Sequence, residues 1–452
     1  MDISNSAMTR GLASDRGGAV RLQQCTADFT NVSFDDNRVE DPSGAASQAV
    51  GGAIFGQNST ASVDNCSFVA NESEEDGGAI GSYEGTWIVT NSTFTANSAD
   101  DDGGALYNAG SGSSTPGTWT VSGSTFESNE AYSAYVGGAS GAHVSGGGAI
   151  WMAGKNLEVS DSTFRNNEAI TINGDGGAIH HLAGELIVAD SIFVDNAADS
   201  TAGIGGHIVS ESDYLELEGN TFTGGLASEG GAIHLFEVAA VLGVRNLICD
   251  NTASLGNGGG LYTEEVGASS SEWTNNVFTE NEAFLSGGGV YLSADNTHEF
   301  TNNNFVSNDA AFGGGLYAGD DDFSLINNIF AYTVGGNGVT LFSTATGYTI
   351  DYNDSYSNTP GNWSTLITAL GSNNITDQPE FIDYTDDGDC SNDDYRLQYG
   401  SPLIDAGDPT IPDPDSSVSD IGAYGGSDAD PDAYIDADTD GFIAMFDCDD
   451  TD

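Results

Sequence analysis

The 452-residue sequence predicts an all-β fold, a single-stranded parallel β-helix of about three short strands per coil. Three recurring patterns point to it. Glycine pairs followed by a small and an aliphatic residue begin at Gly17, Gly51, Gly77, Gly103, Gly147, Gly176, Gly205, Gly230, Gly258, Gly287 and Gly313, with most steps 25 to 29 residues. Some seventeen residues into each repeat comes Phe-x-x-Asn, as in Phe68 with Asn71, Phe94 with Asn97, Phe164 with Asn167 and Phe305 with Asn308. Seven and five residues before each such Phe stands an apolar pair at period two, Trp87 and Val89 or Leu186 and Val188 among them.

The elements follow in order. After the glycine pair, Ile54, Leu106, Ile150, Ile179 and Ile233 open a first strand and point inward. The Trp87–Val89 type of pair makes the second strand. Three residues before each Phe lies Asn31, Asn65, Asn91, Asp161, Asp190 or Asn275, residue types that tolerate a left-handed backbone, so a sharp bend separates the second strand from the third. The third strand carries the Phe. The Asn that follows is expected to stack amide on amide between coils, as polar ladders do in cross-β assemblies. Departures are few: Ile248 replaces Phe, and Gly225 and Thr333 replace Asn. Helical solenoids are disfavoured, because the repeat is rich in glycine, β-branched and aromatic residues.

Three segments result: repeat coils over 1–333, terminal coils or a cap over 334–425 marked by Trp363, Phe381 and Leu397, and an Asp-rich tail over 426–452. Asn5 to Gly11 aligns with Asn91 to Asn97, Met8 taking the Phe position, so the chain starts in mid-coil. The expectation is a signal peptide, a cap and further coils upstream, or an open edge that self-associates end to end or laterally.

Composition narrows the partners. Sixty-nine acidic residues face eight Lys and Arg, a formal charge of −61, which excludes nucleic acid and repels anionic membranes and polyuronates. No run of about eighteen apolar residues exists to insert in a membrane as a helix. The five cysteines occupy unrelated repeat positions and read mostly as small buried residues; only Cys390 and Cys448, both in the acidic C-terminal part, are candidates to pair.

Gly-Gly-Ala with Ile, Leu or Val, followed by Phe-x-x-Asn, resembles the repeat of chlamydial polymorphic outer-membrane proteins and related bacterial right-handed β-helix surface proteins. The phrases Pro379 to Asp383, Gly400 to Gly407 and Asp420 to Gly425 resemble the closing segment of many secreted bacterial β-helix proteins. The resemblance implies a right-handed helix at the cell surface or outside the cell, acting as adhesin, spacer or filament element.

Two groups of residues bear on chemistry. Asp436, Asp438, Asp440, Phe442 and Asp447 stand at positions one, three, five, seven and twelve of a loop with Gly441 at position six, the pattern of an EF-hand or dockerin calcium loop. Calcium is therefore the expected cofactor, with Phe442 supplying its carbonyl. The second group is a column after each glycine phrase: Phe55, Tyr107, Trp151, His180, His234, Tyr262, Tyr291 and Tyr317. Strand alternation turns it away from Ile54 and Ile179, hence outward, as a stripe able to stack on glycans or seat a protein surface. The simpler reading is that these rings pack on one another and on inserted loops. A polysaccharide lyase or glycoside hydrolase is the enzymatic alternative, but Arg38, Arg165 and Arg245 fall at different repeat positions, and Asp100–Asp102 and Glu74–Asp76 fall in turns. A non-catalytic role is favoured.

Overall fold

Like residues lie against like from coil to coil. Phe94 pairs in parallel with Phe68 on one side and Phe126 on the other, and Leu106 pairs with Ile80 and Ile150. The computed structural model describes residues 1–40, 49–109, 118–132, 146–170, 174–199, 201–264, 271–293, 297–319, 322–342, 347–385 and 388–434. These form an all-β parallel solenoid with no α-helix among them. Two units are distinguished, one of Met1–Glu216, Asn220–Val238 and Asn251–Leu255, the other of Leu217–Gly219, Ala239–Asp250 and Gly256–Asp452.

A coil of the first unit runs Ile150–Ala153, Asn156–Ser160, Thr163–Arg165 and Glu168–Ala169. The last of these adds a fourth, two-residue strand to the three expected, pairing through Glu130↔Glu168 and Ala131↔Ala169. Each corner is a left-handed residue. Asn31, Asn65, Asn91, Asp161 and Asp190 have φ between 48° and 56°, as their side chains predicted. All eleven first glycines of the pairs have φ between 62° and 76°, where a side chain is strained. The second glycine serves a different need, since a Cβ on Gly78 would lie 2.2 Å from the Gly104 carbonyl oxygen of the next coil.

Inside, the phenylalanines form a column. Phe68, Phe94, Phe126 and Phe164 are fully buried, with successive ring centroids 4.7 Å apart and planes within 3°. Burying each ring stabilises the fold by about 1.5–3 kcal/mol. The asparagine ladder is present as expected: Asn71 donates through Nδ2 to Asn97 Oδ1 at 2.9 Å and to the Phe34 carbonyl of the preceding coil at 3.0 Å. The same pattern links Asn97, Asn129, Asn167 and Asn196. Where Gly225 interrupts it, His207 fills the gap, its Nδ1 3.1 Å from Asn196 Nδ2 and its Nε2 3.1 Å from Asn251 Oδ1.

The second unit has a further ladder that the repeat pattern did not disclose, Asn276, Asn303, Asn328, Asn353 and Asn374, joined by Nδ2-to-Oδ1 bonds of 3.0 Å. Beyond Thr333 the strands Val339–Leu341, Thr349–Asp351 and Asp354–Tyr356 add one more coil. The chain then turns back along the outside of the third-strand column. There Phe381, Tyr395, Leu397, Leu403 and Ile421 pack on Val277, Val306 and Ile329. Asn275, Asn302 and Asn304 hydrogen-bond this segment, Asn304 Oδ1 accepting from Ala423 N at 3.0 Å.

The segment also carries a disulfide between Cys249 and Cys390. Cys390 therefore takes Cys249 and not the candidate Cys448: the returning segment brings the Cys390 and Cys249 Cα atoms to 6.4 Å, within bonding range. Cys448 lies outside the described residues.

Candidate functional site

The residue before each glycine pair forms its own column at the edge of the coils, with parallel bridges Val50↔Asp76 and Gly146↔Asp175. Stacking brings Asp76 and Asp102 together in successive coils, and the turn before Gly103 adds Asp101. One carboxylate oxygen from each of the three lies within 4.8 Å of the others. It is the one such group of metal-ligating side chains among the described residues.

Asp76 and Asp102 are each 7% exposed, and burial dominates their protonation. Burial, then the charges of Asp101 and Glu75, pushes the Asp76 carboxyl up to about 8. Burial followed by Asp101 and Asp76 raises Asp102 well above the carboxylate range, although Gly146 N donates to its Oδ1 at 2.8 Å. Three crowded carboxyls of this kind hold protons or a hard cation, for which oxygen ligands are the natural set.

Aromatic rings adjoin these acids. Tyr107 hydrogen-bonds Asp76 and stacks on Trp151 at 4.9 Å and 14°. Tyr83 meets Phe55 and Tyr107 edge-on, in the place left by Gly81 in the column. The Arg16 guanidinium sits 4.7 Å above Phe55 and 4.9 Å above Tyr83, a cation–π pair. Phe55, Tyr107, Trp151 and Val50 form a cluster of buried residues.

The column thus follows the simpler of its two readings, rings packed on one another, and does not stand open as a stripe. Phe55 and His180 are fully buried, His234, Tyr107, Trp151 and Tyr262 are buried nearly as deeply, and only Tyr291 and Tyr317 are half-exposed. The glycine turn explains this, because the chain folds back over the column: a Cβ on Gly258 would lie 2.7 Å from Tyr262 Cβ and one on Gly230 2.9 Å from His234 Cβ. Tyr262, Tyr291 and Tyr317 do stack, at 4.9 and 5.2 Å.

His180 and His234 stay separate, with Val209 between them in the register. His180 Nε2 is 3.7 Å from Glu211 Oε1. His181 bonds Ser212 Oγ and the Lys155 carbonyl, each at 2.8 Å, and burial lowers its pKa to about 4. Lys155 Nζ is buried 3.4 Å from Glu84. Arg38 is engaged by Glu40, Glu72 and Glu74. Asp436, Asp438, Asp440, Phe442 and Asp447 lie outside the described residues.

The acidic trio escaped sequence reasoning because Asp100–Asp102 and Glu74–Asp76 read as separate turn clusters. A signal existed: an acid recurs immediately before the glycine pair at Asp76, Asp102, Asp175 and Glu229.

Parallel coils, a glycine corner and a stacked Phe–Asn interior define the class as a β-helix. The family model described as a right handed beta helix region matches residues 148–355. A second model, the Chlamydia polymorphic membrane protein repeat, matches residues 91–109, one Phe-x-x-Asn and glycine phrase of this chain. The chain is thus similar to bacterial right-handed β-helix proteins with this repeat, a kind that points to the cell surface. No curated protein matches it. Among the described residues no helix is long and apolar enough to cross a membrane.

Proposed function

We propose that this chain is an extracellular or surface-displayed β-helix that works as an adhesin or structural spacer rather than a catalyst. The match of the polymorphic membrane protein repeat to residues 91–109 carries this reading. The coil-to-coil ladders support it, because a side-chain amide bonded to both neighbouring coils at 2.9–3.0 Å favours stiffness. The charge of −61 supports an environment rich in salt or divalent cations. Calcium is the proposed ion for the loop with Asp436, Asp438, Asp440, Phe442 and Asp447, on the strength of its ligand spacing.

Two experiments test these points. Antibody labelling and protease shaving of intact producing cells should reach the chain; a wholly intracellular pool refutes surface display. Calorimetric calcium titration should lose one site in Asp440→Ala, and unchanged stoichiometry and affinity refute the loop assignment.

A further inference from the structure

An open cleft of about 340 Å³ lies on the second unit, lined by Tyr332, Gln378, Glu380, Phe381, Tyr384 and Gln398. Its size falls in the range of roughly 300–1,000 Å³ typical of small-molecule sites. Neither the glycine-turn column nor the carboxylate trio contributes to it.

Two of its residues stand at left-handed corners of the backbone, Tyr332 and Glu380. The bend after the third strand needs a left-handed residue, filled in this unit by Asp250, Glu280 and Ser307 at φ 50–54°. The next coil places Tyr332 there at φ 61°, a bulky side chain in a region that asparagine or glycine occupies more easily. Glu380 is also left-handed, at φ 54°.

The lining is also held in place. Tyr332 and Tyr384 stack at 5.2 Å and 9°, and the Tyr384 hydroxyl bonds Ser307 Oγ. Gln398 is fixed by its Nε2 donating to the Phe381 carbonyl at 2.7 Å and its backbone N donating to the Glu380 carbonyl at 2.8 Å. Gln378 and Glu380 remain exposed.

We propose that this cleft binds a neutral mono- or disaccharide, the tyrosine pair meeting the apolar face of a pyranose ring while Gln378 and Glu380 bond its hydroxyls. A sugar ring presents C–H groups on its faces and hydroxyls at its rim, which matches rigid aromatic rings flanked by an amide and a carboxylate. The charge of −61 and Glu380 itself disfavour an anionic ligand. The proposal goes beyond surface display and does not depend on it.

The test is saturation-transfer NMR with calorimetry on the full chain. The probes are glucose, galactose, mannose, N-acetylglucosamine, cellobiose and chitobiose, with choline and galacturonate as controls. At least one neutral sugar should bind saturably. Tyr332→Asn, which suits the left-handed bend but gives up the stack on Tyr384, should remain folded and bind that sugar about tenfold more weakly or worse. Gln378→Ala, at an exposed position, should also weaken binding and carries the test if Tyr332→Asn misfolds. Tyr291→Ala, in the glycine-turn column, should bind normally. Absence of binding by every neutral sugar, binding of choline or galacturonate instead, or undiminished affinity in folded Tyr332→Asn or Gln378→Ala overturns the proposal.

Discussion

Replacing His207 by alanine tests the ladder where its chemistry is most exacting. His207 stands where the other repeats carry a small residue after the glycine pair, and Gly225 stands where most of them carry asparagine. The two departures fit each other: a Cβ on Gly225 would come within 2.8 Å of His207 Cδ2. Asn196 donates to Nδ1, so Nε2 carries the proton to Asn251 Oδ1, and the ring must be neutral. His207→Ala leaves one Asn196 amide hydrogen without an acceptor, since its other hydrogen still bonds the Phe164 carbonyl and Asn251 Oδ1 still accepts from Gly225 N, and it leaves a void, a total of about 2–4 kcal/mol. A pH signature separates this role from simple packing. Burial lowers the His207 pKa to about 3 against 6.5 in the unfolded chain. The unfolded state alone therefore gains a proton between these values, and the contribution of the neutral ring, present above pH 6.5, is lost as pH falls. Between pH 7 and pH 5 the loss is about 2 kcal/mol. Urea denaturation of wild type and variant at both pH values should show their gap narrowing by that amount at pH 5. A cost below about 1 kcal/mol, or a gap independent of pH, refutes the reasoning.

Asp76 works in the opposite direction. Its folded pKa of about 8 lies above the ordinary 3.8, so its contribution is full below about pH 4 and is lost as pH rises through 8. Thermal melts of Asp76→Asn should show a flatter pH dependence over that window and a higher Tm than wild type at pH 8. Gly147→Ala places a Cβ 2.2 Å from the Ile150 carbonyl oxygen at φ 65° and should cost at least about 2 kcal/mol by chemical denaturation. Cys249→Ser opens a cross-link spanning 141 residues, for which chain entropy predicts a loss of about 5 kcal/mol. The same variant should expose Cys390 to thiol reagents, and peptide mapping of wild type should recover the Cys249–Cys390 pair.

Register was legible because several columns accept few residue types. Asparagine donates to one neighbouring coil and accepts from the other in the ladder, and asparagine, aspartate and glycine bend most readily to the left at positions such as Asn91 and Asp161. The fourth strand was not legible, since two residues such as Glu168 and Ala169 show no period. Burial of Phe55 and His180 was missed because alternation tells which side of a strand a residue takes and not what covers that side. The returning C-terminal segment left a trace in the residues flanking each core Phe. These are Thr93 and Thr95 or Thr163 and Arg165 in the first unit, partly exposed, but Val277 and Thr279, Asn304 and Val306, and Ile329 and Ala331 where the segment lies, all buried. The disulfide arises from contact between distant stretches, which spacing within one repeat does not encode, whereas the acidic trio lay at or next to the residue before the glycine pair and was read as turn acids.

Because each ladder amide leans on the winding before it and the winding after it, no single winding is complete alone. Lineages carrying this architecture are therefore free to gain or lose length in whole periods, each excision healing by bringing one identical amide onto another, while a half-period slip takes every amide off its partner. Growth by duplication is then graded in steps of one turn, and reach becomes a trait that recombination adjusts without redesigning the interior.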